Sequence, residues 1–171
     1  MSVIKVNQIQ TANGVIMANL NSSGANIGFQ LASTLAPAFY VSASAGQSLV
    51  SSTLTKISFN TKTFDTNTNF DATTNYRFTP TVAGYYQISA AVQYGGTSTT
   101  SGFVQTQIYK NGSAYSGGIL ITAIQYSIPA YSVLMYLNGS SDYVEVYAQQ
   151  SQGTTQTVTG QFFTGAMVRS A

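Results

Sequence analysis

The sequence predicts an all-β sandwich, and three observations predict it. Short runs of β-branched and aromatic residues recur along the chain, separated by clusters of Gly, Asn, Ser and Thr, the pattern of strands and turns in a sandwich or barrel. No apolar stripe with a 3.6-residue period runs long enough for an ordinary helix. Only 6% of the 171 residues are charged, against about 25% in a typical soluble domain. Ser, Thr, Asn and Gln must therefore carry the solvated surface, and these residues suit strands and turns better than helices.

The elements follow in order. Residues 1–36 read as a separate segment: residues 3–9, then Thr11-Ala12-Asn13-Gly14, then residues 15–17 have the pattern of a small hairpin. A two-stranded hairpin alone is marginal in water, so this segment should be ordered by assembly or by docking on a larger structure. Val3, Ile4, Val6, Ile9, Val15 and Ile16 form its apolar contact set. Residues 18–36 are rich in Asn, Ser and Gly, and Pro37 opens the main domain, 37–171.

Within that domain strands are expected near 39–43, 54–59, 76–79, 84–93, 103–110, 118–126, 131–137, 142–149 and 157–169. The clearest is 84–92, where Tyr86, Ile88, Ala90 and Val92 share one face and Gln87 and Ser89 the other. Lys110-Asn111-Gly112-Ser113 and Asn138-Gly139 mark tight turns, because Asn-Gly tolerates the positive φ angles these need. Two strands break the usual rule that one sheet face is polar. In 131–137, Val133, Met135 and Leu137 oppose Leu134 and Tyr136; in 161–168, Phe162, Ala166 and Val168 oppose Phe163 and Met167. A neighbouring subunit is the economical cover for a second apolar face. Tyr136, Met135, Leu134, Phe162, Phe163 and Met167 are accordingly the expected interface residues.

Composition excludes several function classes. The six cations (Lys5, Lys56, Lys62, Arg77, Lys110, Arg169) are scattered and the net charge is +2, so neither nucleic acid nor an anionic membrane surface is an expected partner. No apolar run approaches the ~20 residues that span a bilayer, and no membrane insertion is expected. With no cysteine there is no disulfide and no thiolate chemistry. With no histidine the commonest general base and metal ligand is missing. The four acids are Asp65, Asp71, Asp142 and Glu145. Asp65 and Asp71 share an Asn- and Thr-rich loop and read as turn formers, Asp142 as a turn residue, and Glu145 as facing solvent or a subunit boundary. No catalytic residue, cofactor or metal is expected, and the chain reads as a non-enzyme. Tyr94, Tyr115 and Tyr126 fall near loops or strand ends, where an amphipathic ring can stack on a sugar or protein surface; they are the candidate surface-binding residues.

The order of these features resembles the globular head of complement C-one-q, within the tumour-necrosis-factor-like jelly-roll superfamily, over about three quarters of the chain. Pro37-Ala38-Phe39-Tyr40-Val41 looks like its opening strand. Ile57-Ser58-Phe59, Phe64-Asp65, Phe70-Asp71 and Tyr76-Arg77-Phe78-Thr79-Pro80 follow. The most specific part is Phe78-Thr79-Pro80-Thr81-Val82-Ala83-Gly84-Tyr85-Tyr86. Ile108-Tyr109-Lys110-Asn111-Gly112, then residues 132–137, Asp142-Tyr143-Val144-Glu145-Val146 and Phe162-Thr164-Gly165-Ala166 complete the match. Gly139-Ser140-Ser141-Asp142 departs from it, since the family places Gly and Asp side by side. The resemblance implies a homotrimeric jelly roll.

The absence of disulfides and of a collagen stalk points to a microbial or viral use of such a head, and residues 3–10 look like the start of some phage fibre proteins. The function expected is that of a bacteriophage virion structural protein, made in the host cytoplasm and released by lysis. It would be a trimeric tail fibre, spike or capsid-decoration protein whose residues 1–36 engage other virion proteins. Its head would serve host attachment, with a surface glycan as a further partner, or particle stabilisation. The other reading is a bacterial carbohydrate-binding or cell-surface adhesion module.

Overall fold

A computed structural model of the chain describes residues 8–10, 16–19, 36–95, 102–121 and 126–171. The chain divides into two compact units, Met1–Leu35 and Ala36–Ala171. In the first, β1 (Gln8–Gln10) pairs antiparallel with β2 (Ile16–Asn19), with Gln8 opposite Asn19 and Ile9 opposite Ala18. Ile9 and Ile16 thus lie in this hairpin, while Val3, Ile4, Val6 and Val15 lie outside the described residues.

The second unit is a sandwich of two antiparallel sheets. One sheet is built from β3 (Ala38–Ser42), β4 (Gln47–Leu49), β6 (Thr61–Asp65), β9 (Gly84–Tyr94), β12 (Ala130–Leu137) and β14 (Gln156–Ser170). Its strand order is β12-β9-β14-β3-β6, with β4 also on β14. We call it the front sheet. The back sheet comprises β5 (Thr55–Lys56), β7 (Phe70–Asp71), β8 (Arg77–Phe78), β10 (Phe103–Lys110), β11 (Ser113–Ile121) and β13 (Val144–Gln150). Its order is β11-β10-β13-β8-β7, with β5 also on β13. Each sheet takes strands from distant parts of the chain, as a jelly roll does.

The core between the sheets is aromatic at its centre. Phe39, Phe59, Phe78, Phe163 and Tyr86 are all fully buried. Phe39 stacks on Phe78 with centroids 4.3 Å apart and meets Phe163 edge-on at 4.9 Å. Such pairs add to the area they bury. The Phe78-to-Tyr86 stretch has a physical basis here. Phe78 enters this cluster, and the Tyr86 hydroxyl donates to the Val82 carbonyl at 2.7 Å, closing the turn before β9. Gly84 lets β14 pass beside it, since a Cβ there would lie 2.5 Å from the Arg169 carbonyl oxygen.

Several strand limits differ from expectation. β11 begins at Ser113, directly after the Asn111-Gly112 turn (φ 53° and 76°), so the strand expected at 118–126 starts five residues early. Ser113-Ala114-Tyr115-Ser116-Gly117-Gly118 has little strand propensity of its own, and pairing with β10 from Lys110 to Phe103 imposes it. The stretch at 61–65, read as loop, is the edge strand β6 on β3.

Candidate assembly face

The front sheet has an outer side, and the two-residue period fixes which residues line it. Along β12, Met135 and Leu137 are buried, whereas Leu134 and Tyr136 are 52% and 42% exposed. Along β14, Phe163 is buried while Val168 is 59% exposed. Tyr85 on β9 and Phe64 on β6 are also open, at 43% and 46%.

Register arranges these side chains in rows across the sheet. Tyr136 lies opposite Tyr85, with their rings edge-on at 5.6 Å. The next row runs Leu134, Gln87, Ala166, Ala38. The one after runs Ser132, Ser89, Thr164, Tyr40, Phe64, and Phe162 stacks on Tyr40 at 5.9 Å. Aromatic and aliphatic residues thus stand at two sides of a strip of small side chains. The strip's polar groups satisfy one another, with Gln87 Nε2 donating to Ser132 Oγ at 2.6 Å and Ser132 and Ser89 hydroxyls 2.7 Å apart. Arg169, opposite Tyr85 at the end of the first row, is the one charged residue in these rows. A trough of about 520 Å³ runs along one end, lined by Tyr85, Leu134, Val168, Arg169, Ser170 and Ala171.

A face with a single charge and apolar margins matches the character of a subunit interface more closely than that of a solvated surface. Covering the open halves of Leu134 and Val168 would stabilise an assembly by about 1 kcal/mol each.

The six residues expected at an interface divide between the two sides of the sheet. Leu134, Tyr136 and Phe162 lie on the outer side. Met135 is 1% and Phe163 0% exposed, both in the core, and Met167 packs against that core. The correction has a simple cause: in a strand apolar on both faces, hydrophobicity does not say which face is inside. Tyr85, Val168, Phe64 and Tyr40 were not in the expected set. Val168 shares the face of Phe162 and Ala166 by period, and Tyr85 that of Gln87, so alternation held the signal for both.

The candidate binding tyrosines also separate. Tyr94 is 3% exposed and its hydroxyl donates to the Gln105 and Gln149 carbonyls at 2.7 and 3.1 Å. Burial pushes its pKa well above that of a free tyrosine. It is a core residue joining the sheets, not a surface contact. Tyr115 and Tyr126 are exposed, and Tyr126 has a φ of 62°.

The four acids are committed to structure. Asp65 accepts the Asn69 and Phe70 N–H groups at 2.9 and 3.0 Å and pairs with Lys62. Asp71 accepts three consecutive N–H groups, Thr73 to Asn75, each at 3.0 Å. The Thr74 and Thr73 N–H bonds hold its carboxyl far below the usual range. Asp142 lies in the departing Gly139-to-Asp142 loop. Burial there opposes its ionisation, but bonds from Asn111, Lys110 and the Asn138 N–H, together with the Lys110 charge, outweigh burial and lower its pKa. Glu145, expected to face solvent or a subunit boundary, is instead 5% exposed and pairs with Lys56 across the β5–β13 ladder. Among the described residues no three acids converge as metal ligands would, and no helix is long and apolar enough to cross a membrane.

No protein-family model matches the sequence, and no curated protein matches it. Solved structures do. Murine APRIL at pH 5.0 is similar with a TM-score of 0.57 and 10% identity, over 78% of this chain and 99% of that chain. The pH 8.0 structure of murine APRIL gives 0.57 and 12% over the same shares. The fold is a tumour-necrosis-factor-like jelly roll. Identities this low show the shared fold alone. Vertex protein P5 of PRD1 is also similar, with a TM-score of 0.49 and 17% identity over 78% of this chain and 96% of that chain. On this tumour-necrosis-factor-like fold the outer side of the front sheet is the candidate assembly face.

Proposed function

We propose that the chain is a virion structural protein whose jelly-roll heads associate as a homotrimer through the outer side of the front sheet. The observation that carries the assembly is the sparsely charged face on which Tyr85, Leu134, Tyr136 and Val168 stay between 42% and 59% exposed in one subunit. Three copies around an axis are the arrangement that the complement-head resemblance implies, and closed rings of identical contacts are how such faces are commonly covered. The virion assignment is supported by residues 3–10, similar to the start of some phage fibre proteins, and by the absence of cysteine and of any collagen repeat. Residues 1–36 attach the protein to the particle, and the head projects from it as a fibre, spike or decoration.

The test is quantitative mass spectrometry of particles purified from cells expressing the gene in its native setting. Full-length protein is expected in particles at a copy number divisible by three. A chain lacking residues 1–36 should be missing from them. Recovery of the full chain only outside particles contradicts the virion assignment and favours a cell-surface adhesion module.

A further inference from the structure

The outer side of the back sheet differs in chemistry from that of the front sheet. Register aligns Gln105 with Gln149, Gln107 with Tyr147, and Tyr109 with Glu145 across β10 and β13. Gln105 Nε2 donates to Gln149 Oε1 at 2.6 Å, whereas Gln107 Nε2 reaches Gln105 Oε1 and the Tyr109 hydroxyl reaches Gln107 Oε1 only at 3.4 Å each. The Tyr147 hydroxyl meets Glu145 Oε2 at 3.4 Å as well. Gln149 Nε2 donates to no acceptor among the described residues. Bonds this long are weak and can be exchanged for those of a ligand. The Tyr109 and Tyr147 rings lie 4.3 Å apart at 41°, and both residues are partly exposed.

On the β11 side, Gly117 stands opposite Gln107 and leaves a gap between Tyr115 and Ile119, which are 48% and 53% exposed. The gap is obligatory, because a Cβ on Gly117 would lie 2.9 Å from the Thr106 carbonyl oxygen. From strand spacing the three strands offer a platform of about 14 by 10 Å.

We propose that this platform binds a neutral glycan. Sugar hydroxyls both donate and accept, and side-chain amides offer both functions side by side. The apolar C–H faces of a pyranose can lie on the tyrosine rings, whose amphipathic character suits such half-wet contacts. Charge argues against other ligands. The Glu145 carboxylate is neutralised by Lys56, and Arg77 is held over the Tyr143 ring at 4.3 Å, so no cluster of free cations awaits phosphate or sulfate. A protein partner would require an apolar centre, whereas here the centre is amide and the apolar residues sit at the β11 edge. A single subunit carries the complete platform. Only its three-fold repetition, which raises avidity, rests on the proposed trimer.

Saturation-transfer NMR and calorimetry on the full-length protein, with maltotriose, cellotriose and chitotriose as probes, test the proposal. At least one probe is expected to bind. Its affinity should fall about tenfold or more in both Tyr147→Ala and Gln149→Ala, the order of one stacked ring or one lost polar contact. It should change little between low and high salt. Tyr147→Phe, which keeps the ring, should retain most of the affinity if the fold is intact. The same titration on Leu134→Asp/Tyr136→Lys, altered only on the front sheet, should give the same affinity per subunit, which separates this proposal from that of assembly. Failure of all three probes to bind, or binding unaffected by Tyr147→Ala and Gln149→Ala, overturns it.

Discussion

Gly139 shows how much one residue of this fold carries. Its φ is +69°, and a Cβ would fall 2.3 Å from the Ala83 nitrogen and 2.5 Å from the Val82 carbonyl carbon. Both strain and collision oppose a side chain, so Gly139→Ala should cost about 2 kcal/mol or more in urea denaturation. The Asn-Gly pair predicted a turn here; nothing local in the sequence revealed that the turn packs against residues 82–83. Buried tyrosines give a second expectation. Burial pushes the Tyr86 pKa from 10.0 up to about 12, and shifts Tyr94 in the same direction. A raised folded-state pKa means that stability is fully present below the unfolded value and is lost as pH rises towards the folded one. Stability should therefore hold up to about pH 10, then fall by about 1.4 kcal/mol per pH unit for each buried tyrosine. Alkaline unfolding followed by circular dichroism checks this. In Tyr94→Phe the slope should be roughly halved.

At the scale of elements, legibility followed side-chain pattern. β9 and β10 announce themselves because alternation and β-branched or aromatic residues agree, and β12 by a continuous apolar run. β6 carries Thr61-Lys62-Thr63 and is exposed along almost its whole length, so its strand character comes from the β3 ladder and was not legible. The candidate assembly face was half legible for the related reason that β12 and β14 are apolar on both sides. Only pairing with β9 separates Leu134 and Tyr136 from Met135. Glu145 was misread because β5, two residues long, sets Lys56 opposite Tyr147, from where its ammonium reaches Glu145, a contact 89 residues apart in sequence. This pairing yields a prediction about β5. Lys56→Met leaves a nearly buried carboxylate unpaired and should cost about 2–3 kcal/mol. Adding Glu145→Gln should recover at least half of that in thermal denaturation. Equal stability of the single and double variants would show that the pair does not hold β5 to β13.

For the whole molecule, the two sheets present different chemistry outward. The front sheet turns outward a sparsely charged face with apolar margins and self-satisfied polar groups, suited to another copy of itself. The back sheet turns outward amides and tyrosines held by long hydrogen bonds, suited to an exchangeable polar ligand. Low charge makes both surfaces insensitive to ionic strength, and the absence of disulfides leaves packing to stabilise the subunit. The proposed trimer follows from the apolar surface that one subunit leaves open on the front sheet. Multi-angle light scattering of the full-length chain at micromolar concentration tests it. The expected mass is three times the 18.1 kDa of one chain, falling to a single chain in Leu134→Asp. A wild-type protein that elutes at 18.1 kDa would rule out the trimer.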